Sequence, residues 1–112
     1  MFDITLNRAD PDGNVHKVLW EGMADGDTIQ PLFPGRMQSA LSSVQMTGTF
    51  GGTVVLQGSN DGVNWVTMKD TDGADISMSA AGLVELSSTV WAIRPSPGAG
   101  VSDVDVTMVL RG

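Results

Sequence analysis

The sequence predicts an all-β protein, an antiparallel β-sandwich of about seven to nine short strands with a jelly-roll-like topology. Short runs in which apolar and polar residues alternate recur along the chain, as expected for strands with one buried face. The cleanest run is 103–111, where Val104, Val106, Met108 and Leu110 share a face. Clusters of glycine, asparagine, aspartate and proline separate the runs, and no segment carries a convincing helical pattern.

Length and composition limit the possible functions. A chain of 112 residues predicts one domain, residues 1–112, and the lack of cysteine excludes disulfides and thiolate metal ligands. Thirteen acidic residues against six lysines and arginines give a net charge of −7, and the six basic residues are scattered. This charge opposes binding to nucleic acid. The chain lacks both a signal-like start and the roughly 20 apolar residues of a membrane span, so we expect neither secretion nor membrane insertion.

The first part of the chain predicts a β-hairpin. Phe2, Ile4 and Leu6 alternate with polar residues and predict a first strand. Residues 9–14 are dense in turn formers, and residues 15–20 resume an extended pattern. We therefore expect the two runs to pair across this turn.

Residues 21–37 lose the alternating period. The segment contains two prolines and three glycines, which favour a long connection over a helix or a central strand. It also carries more large apolar side chains than a solvated loop needs. These side chains either fold back to cap an open end of the sandwich or project towards a partner. For the second alternative, the candidate interface residues are Met23, Ile29, Leu32, Phe33 and Arg36.

Residues 43–68 contain two strand patterns, a glycine break and a tight turn. Apolar and polar residues alternate over 43–48 and again over 54–57. Residues 58–62, Gly-Ser-Asn-Asp-Gly, predict a turn because these residue types accept the positive φ that narrow hairpin turns require. The return strand begins at residues 65–66. We interpret this stretch as a compact β-hairpin unit around which the rest of the chain is organised.

The remaining segments predict further short strands, at 76–78, 83–86 and 90–94. Residues 69–75 gather three carboxylates, but the positions of the glycine and of the final ligand do not match an EF-hand calcium loop. A hairpin turn with Asp72-Gly73 at its tip explains the same residues.

The three tryptophans, Trp20, Trp65 and Trp91, each lie in a strand pattern beside other apolar residues. A buried tryptophan contributes a large apolar area and needs one partner for its indole N–H. We predict that all three anchor the core, with ligand stacking as the alternative.

Two resemblances to known families are carried by these residues. GTFGGTVVLQGSNDGVNWVTM, the later run Trp91-Ala92-Ile93-Arg94-Pro95 and the terminal alternating strand resemble the small β-sandwich proteins encoded among the virion genes of tailed bacteriophages. Several of those proteins are capsid decoration or cement proteins. More locally, LQGSNDG with a nearby tryptophan and a later Ile-Arg is similar to part of the discoidin-type, galactose-binding-like domains. Neither set of residues is a catalytic signature.

The first resemblance implies a virion structural protein that binds the outer capsid shell and bridges neighbouring subunits of the major capsid protein. It also implies synthesis in the host cytoplasm and a final location on the capsid surface. Because decoration proteins sit at symmetry axes, a homo-oligomer is expected, either a trimer or a dimer. The alternatives are a carbohydrate-binding module, suggested by the second resemblance, and a tail or baseplate component.

The sequence contains no motif for catalysis, a cofactor or a metal. His16 is the only histidine, which makes a multi-histidine metal site impossible. The nucleophile elbow, the P-loop, the dinucleotide fingerprint and the zinc-protease helix motif do not occur. We therefore expect no enzymatic activity, no catalytic residues, no cofactor and no metal site.

Overall fold

The computed structural model of the chain describes residues 3–4, 7–12, 15–33, 42–86 and 90–111. Every regular element in these ranges is a β-strand. The strands are β1 Asp3–Ile4, β2 Asn7–Asp12, β3 Val15–Met23, β4 Thr28–Ile29, β5 Ser42–Thr49, β6 Val54–Ser59, β7 Val66–Thr67, β8 Ser77–Met78, β9 Gly82–Leu86, β10 Ala92–Pro97 and β11 Asp103–Arg111.

Nine of these strands form two antiparallel sheets, which confirms the predicted β-sandwich. The five-stranded sheet has the order β2-β3-β11-β5-β9, and the four-stranded sheet has the order β10-β6-β7 with β8 also pairing with β6. β1 and β4 form a separate two-stranded parallel sheet. The chain passes repeatedly between the two larger sheets, since β9 and β11 belong to the first and β10 to the second.

The core lies between the inward faces of the two larger sheets. The alternation predicted for residues 103–111 is confirmed, because Val104, Val106, Met108 and Leu110 are at most 1% exposed. Residues of β3, β4, β5, β6, β9 and β10, and of the connections between strands, belong to the same apolar cluster. Trp20 is fully buried in it, as predicted, and its indole N–H donates to the backbone oxygen of Gln30 at 2.8 Å.

The N-terminal hairpin forms with a different first strand from the one predicted. β2, rather than the run that begins at Phe2, pairs with β3. The residues read as a turn therefore lie largely in a strand, with an irregular register between Ala9 and Asp12. β2 is an edge strand of its sheet, and a proline such as Pro11 is tolerated at an edge or a bulge because no neighbour needs its missing N–H.

The stretch 43–68 is divided between the two sheets. β5 belongs to the five-stranded sheet and β6 to the four-stranded sheet, so the prediction of one hairpin unit is wrong for this first half. The Gly51-Gly52 break is a crossing between layers. The second half is confirmed, since β6 pairs antiparallel with β7 through Gln57 with Thr67 and Gly58 with Val66.

The turn predicted around Asp72-Gly73 is also present. Lys69 and Asp75 form an isolated antiparallel bridge and an exposed salt bridge. Inside the turn, the Asp70 Oδ1 atom accepts hydrogen bonds from the backbone N–H groups of Asp72 at 2.9 Å and Ala74 at 3.0 Å. The carboxylate that resembled a calcium ligand thus caps its own turn.

The segment predicted as a long connection is more ordered than its sequence pattern indicates. β3 continues to Met23, β4 pairs with β1, and Leu32 forms an antiparallel bridge with Ile93. The two backbone hydrogen bonds of this bridge measure 2.7 and 2.9 Å. After β3, the strand pairings of this segment involve only one or two residues each, so the sequence shows no alternating pattern there. These short pairings are nevertheless sufficient to bury the side chains of Ile29 and Leu32.

Two prolines stop this pairing after a single bridge. The N–H of Ile93 points outward to Leu32, and successive residues of an antiparallel strand direct their backbone groups to opposite sides. Pro95 and Pro97 therefore occupy the next outward positions of β10, and neither has an N–H to donate. As a result a groove opens between residues 26–29 and β10.

Candidate interaction surface

Two aromatic side chains stand together on the surface beside the bridge of Leu32 and Ile93. Phe33 is 48% exposed and Trp91 is 54% exposed. Their ring centroids are 4.8 Å apart with an interplanar angle of 61°, an edge-to-face arrangement. Phe33 follows one partner of the bridge and Trp91 precedes the other by two residues, so the bridge holds both rings in place. We refer to Phe33 and Trp91 as the aromatic cluster.

The turn after β6 supports the indole of Trp91. The Asn60 Oδ1 atom accepts a hydrogen bond of 3.1 Å from the backbone N–H of Trp91. Gly62, with a φ of 75°, packs so closely against the indole that a Cβ there would lie 2.8 Å from the Cζ3 atom of Trp91. A glycine is needed both for this approach and for the left-handed backbone.

Asp61 fixes the shape of that turn. Its Oδ1 atom accepts hydrogen bonds from the backbone N–H groups of Asn64 and Val63, both at 2.8 Å. The Asn64 side chain and the Ser59 hydroxyl donate further hydrogen bonds to the carboxylate. These contacts, with the backbone N–H of Asn64 the largest, hold the pKa of Asp61 well below its ordinary range. The carboxylate is therefore ionised wherever the protein is folded near neutral pH.

A fixed arginine lies on the outer face of the four-stranded sheet. The Arg94 guanidinium carbon sits 4.1 Å from the ring centroid of Trp65, within the range of a cation–π contact. The Nε group of Arg94 donates to the Oε1 atom of Gln57 at 3.1 Å, and the two residues are direct cross-strand partners. Burial lowers the pKa of the guanidinium, but arginine stays charged at every physiological pH.

Arg94 also lines the groove between residues 26–29 and β10. The cavity has a volume of about 410 Å³ and is open to solvent. One wall contains Gly26, Asp27, Thr28 and Ile29, and the other contains Arg94, Pro95, Ser96 and Pro97. Both walls contain polar and apolar residues, and the guanidinium of Arg94 itself extends across β6 towards Trp65.

The candidate interface residues named from the sequence are only partly exposed. Met23, Ile29 and Leu32 are at most 8% exposed and belong to the chain's own core. For these three, the structure corresponds to the first alternative, a segment that folds back onto the sandwich. Phe33 is available to a partner, and Arg36 lies outside the described residues.

Sequence reasoning missed Trp91 as a surface group and did not single out Arg94 as a candidate site residue. The prediction that Trp91 anchors the core is wrong, because Ala92 and Ile93 are both buried and the alternation breaks at the start of β10. Trp65 is only partly buried, with Arg94 over its ring. The spacing of Pro95 and Pro97 indicated an edge strand, but it carries no information about which side chains face solvent.

The residues that the structure describes contain no group of three or more His, Cys, Asp or Glu side chains placed to hold a metal ion. The same ranges contain no helix long and apolar enough to cross a membrane.

Comparison with known proteins adds little. No family model matches the chain, and no curated protein matches it. Among solved structures, the chain is similar to protein NMB1881 from Neisseria meningitidis, with 7% sequence identity and a TM-score of 0.49. The alignment covers 96% of this chain and 84% of that one. We draw nothing about fold or function from a similarity at this level.

Proposed function

We propose that this protein is a capsid decoration, or cement, protein of a tailed bacteriophage. It binds the outer shell and stabilises it by bridging neighbouring subunits of the major capsid protein. The sequence resemblance suggests the family, and the observation that carries the proposal is the aromatic cluster, in which Phe33 and Trp91 are half exposed on a rigid support. Side chains of this kind are the usual anchors of protein interfaces.

The cluster is suited to docking because it is held before any partner arrives. Trp91 is fixed by Asn60 and by Gly62, and Phe33 by the bridge of the neighbouring Leu32. A preformed anchor loses little side-chain entropy on binding, so more of the buried apolar area contributes to affinity. A trimer or dimer of the protein presents one aromatic cluster per subunit. Once one cluster is bound, the others are at a high effective concentration near the shell, so weak individual contacts together give strong binding.

The test begins with purified virions of the phage that encodes the chain. Quantitative mass spectrometry should find the protein in hundreds of copies, whereas a handful would indicate a tail or baseplate component. Its absence from virions would refute both locations. Analytical ultracentrifugation should show a trimer or dimer at micromolar concentrations, and a monomer would contradict the oligomer prediction.

Variants then locate the contact. Trp91→Ala and Phe33→Ala should each weaken binding to shells that lack the protein by about 2 kcal/mol, or roughly thirtyfold. Leu83→Ala is the matched control, since Leu83 is an exposed apolar residue, 64% accessible, on the five-stranded sheet. Equal losses for all three variants would contradict a specific role for the aromatic cluster.

A carbohydrate-binding module is the second candidate function. The observation in its favour is the exposed indole of Trp91, which sequence reasoning had placed in the core and which has Asn60 beside it. Sugars stack on exposed aromatic faces and hydrogen-bond to polar groups at the rim. Binding to a glycan array that Trp91→Ala abolishes, together with absence from virions, would favour this candidate.

A further inference from the structure

The outward face of the five-stranded sheet carries apolar side chains that the fold leaves exposed. Alternate residues of its strands form the core, so the residues between them point away from the second sheet. Leu83 is 64% exposed, Val109 is 37% exposed and Leu19 is partly buried. The name outer face is used below for the outward residues of four neighbouring strands: Lys17 and Leu19 of β3, Thr107 and Val109 of β11, Ser43 and Gln45 of β5, and Leu83 and Glu85 of β9.

The strand pairing aligns these residues in two rows across the sheet. The first row contains, in spatial order, Lys17, Val109, Ser43 and Glu85. The second row contains Leu19, Thr107, Gln45 and Leu83. The ends of the first row therefore carry opposite charges, and both ends of the second row are leucines.

Lys17 and Glu85 do not pair with each other within one copy. Three strand spacings separate them, about 14 Å, whereas an ion pair needs a nitrogen and an oxygen within about 4 Å of each other. Neither residue forms an ion pair with another residue in the ranges that the structure describes. Within the two rows the charges cancel, although the chain as a whole has a net charge of −7. Both charges are thus available to a partner with the opposite arrangement.

A twofold rotation makes the outer face complementary to itself. When the axis runs parallel to the strands, midway between β11 and β5, β3 of one copy faces β9 of the other and β11 faces β5. The rotation keeps each position along the strands, so Lys17 lies opposite Glu85 of the partner subunit and Leu19 lies opposite Leu83 of the partner subunit. We propose that the protein forms a twofold dimer through the outer face, with an ion pair between copies at each end of the first row.

The row beyond the leucines fits the same rotation. Asp105 of β11 and Thr47 of β5 are direct cross-strand partners. In the dimer, the Asp105 carboxylate lies opposite the hydroxyl of Thr47 of the partner subunit, which can donate a hydrogen bond to it. Asp105 therefore faces a donor, although its Oδ1 atom also accepts from the backbone N–H of Gly22 at 2.8 Å.

The shape and area of the face suit a weak dimer. A rotation about an axis along the strands maps a twisted sheet onto one with the same hand, so the two faces stay parallel across the contact. The four strands are 5 to 9 residues long. At about 4.8 Å between strands and about 3.4 Å per residue they cover roughly 19 by 25 Å, or about 950 Å² for two copies. This area is near the lower limit for a specific interface, so we expect dissociation in the micromolar range.

Sedimentation velocity of the full chain over a range of concentrations gives the first test. The protein should be a dimer at about 100 μM and should dissociate on dilution. A monomer at the highest concentration, or a trimer, would overturn the proposal. The contact concerns the free protein and does not depend on the capsid function, so failure here leaves shell binding as a separate question. Because the outer face contains Leu83, shell binding by Leu83→Ala is compared at concentrations at which that variant is a dimer.

Charge reversal tests the register of the two copies. Lys17→Glu and Glu85→Lys each place like charges opposite one another twice in a dimer, so each should weaken association at least about tenfold. In an equimolar mixture of the two variants, one copy supplies carboxylates at both positions and the other supplies ammonium groups, so both ion pairs form again. The mixture should therefore recover the dimer. A mixture as dissociated as its components, or variants that associate like the unsubstituted chain, would overturn the proposal.

Lys69→Glu is the matched control, because it makes the same change of charge at an exposed lysine outside the outer face. It should leave dimer formation unchanged, and a loss equal to that of Lys17→Glu would mean that net charge alone controls association. Lys17 and Glu85 are both exposed, so each variant should keep the melting temperature of the unsubstituted monomer.

Cross-linking of the unsubstituted chain tests the same contact without any substitution. Carbodiimide joins an ammonium group to a carboxylate in direct contact, and a mixture of isotopically light and heavy protein shows which links join two copies. A link between Lys17 and Glu85 that joins light to heavy chains supports the dimer. Links between copies that join Lys17 only to other carboxylates, or an absence of links between copies, would overturn it.

Discussion

Substitutions at the adjacent residues Leu32 and Phe33 test whether the first belongs to the core and the second to an exposed surface. Leu32 is 0% exposed and bridges Ile93, whereas Phe33 is 48% exposed and contacts Trp91. Replacement of a buried leucine by alanine leaves a cavity and costs about 3 kcal/mol. For a domain of this size, 1 kcal/mol corresponds to roughly 4 °C, so Leu32→Ala should lower the melting temperature by about 12 °C.

Phe33→Ala should have a much smaller effect on stability. It removes a half-exposed ring and an edge-to-face contact that contributes about 1 kcal/mol, equivalent to a fall of about 4 °C. Differential scanning calorimetry on both variants gives the comparison. If Leu32→Ala does not fold while Phe33→Ala does, the order of the two effects is established without a melting temperature for Leu32→Ala.

The reasoning fails if the order is reversed. A melting temperature for Leu32→Ala close to that of the unsubstituted chain would mean that Leu32 is not buried in the core. A loss in Phe33→Ala as large as that in Leu32→Ala would mean that the aromatic cluster is a structural element rather than a surface for docking.

Three further predictions concern the Asp61 carboxylate and glycines with positive φ. Asp61→Asn should lower the melting temperature at pH 7. The folded protein holds the pKa of Asp61 below the value of about 4 that the carboxyl group has in the unfolded chain, so the ionised carboxylate stabilises the fold above this pH. As the pH falls below about 4, this stabilisation is lost and the difference between the two proteins should shrink. Gly62→Ala should change the fluorescence of Trp91, since the added methyl group lies 2.8 Å from its ring. Gly48→Ala should destabilise the protein far more than Gly26→Ala in thermal unfolding: both glycines have positive φ, but a Cβ at Gly48 would lie 2.2 Å from a backbone oxygen of β11, and one at Gly26 meets nothing within 4 Å.

The local pattern predicted strands well where a single face is buried over many residues. β11 is flanked on both sides, by β3 and β5, and its alternation is reproduced residue by residue. The same pattern did not show which strands pair. The glycine break at 51–52 is compatible with either a hairpin or a crossing, because both need a tight change of direction and only long-range packing decides between them.

The surface site was less predictable for a related reason. A tryptophan beside other apolar residues indicates a buried position, yet Trp91 precedes β10 at a point where two successive residues, Ala92 and Ile93, are both buried. Its exposure depends on Phe33 and Gly62, which are distant in sequence. Likewise, the position of Arg94 over Trp65 depends on the pairing of β6 with β10, which a single sequence does not specify.

The prolines at the outer edge of β10 also affect how copies of the protein meet one another. An exposed strand edge with free donors can recruit a strand of another molecule, which is a common route to fibrils and to exchanged strands between subunits. At Pro95 and Pro97 the incoming strand would find no donor, and at Ile93 the donor is already taken by Leu32. This edge therefore resists pairing with a strand of another copy, even where many copies are crowded together. Replacing both prolines with an ordinary strand residue should allow such pairing while the fold of each copy stays intact.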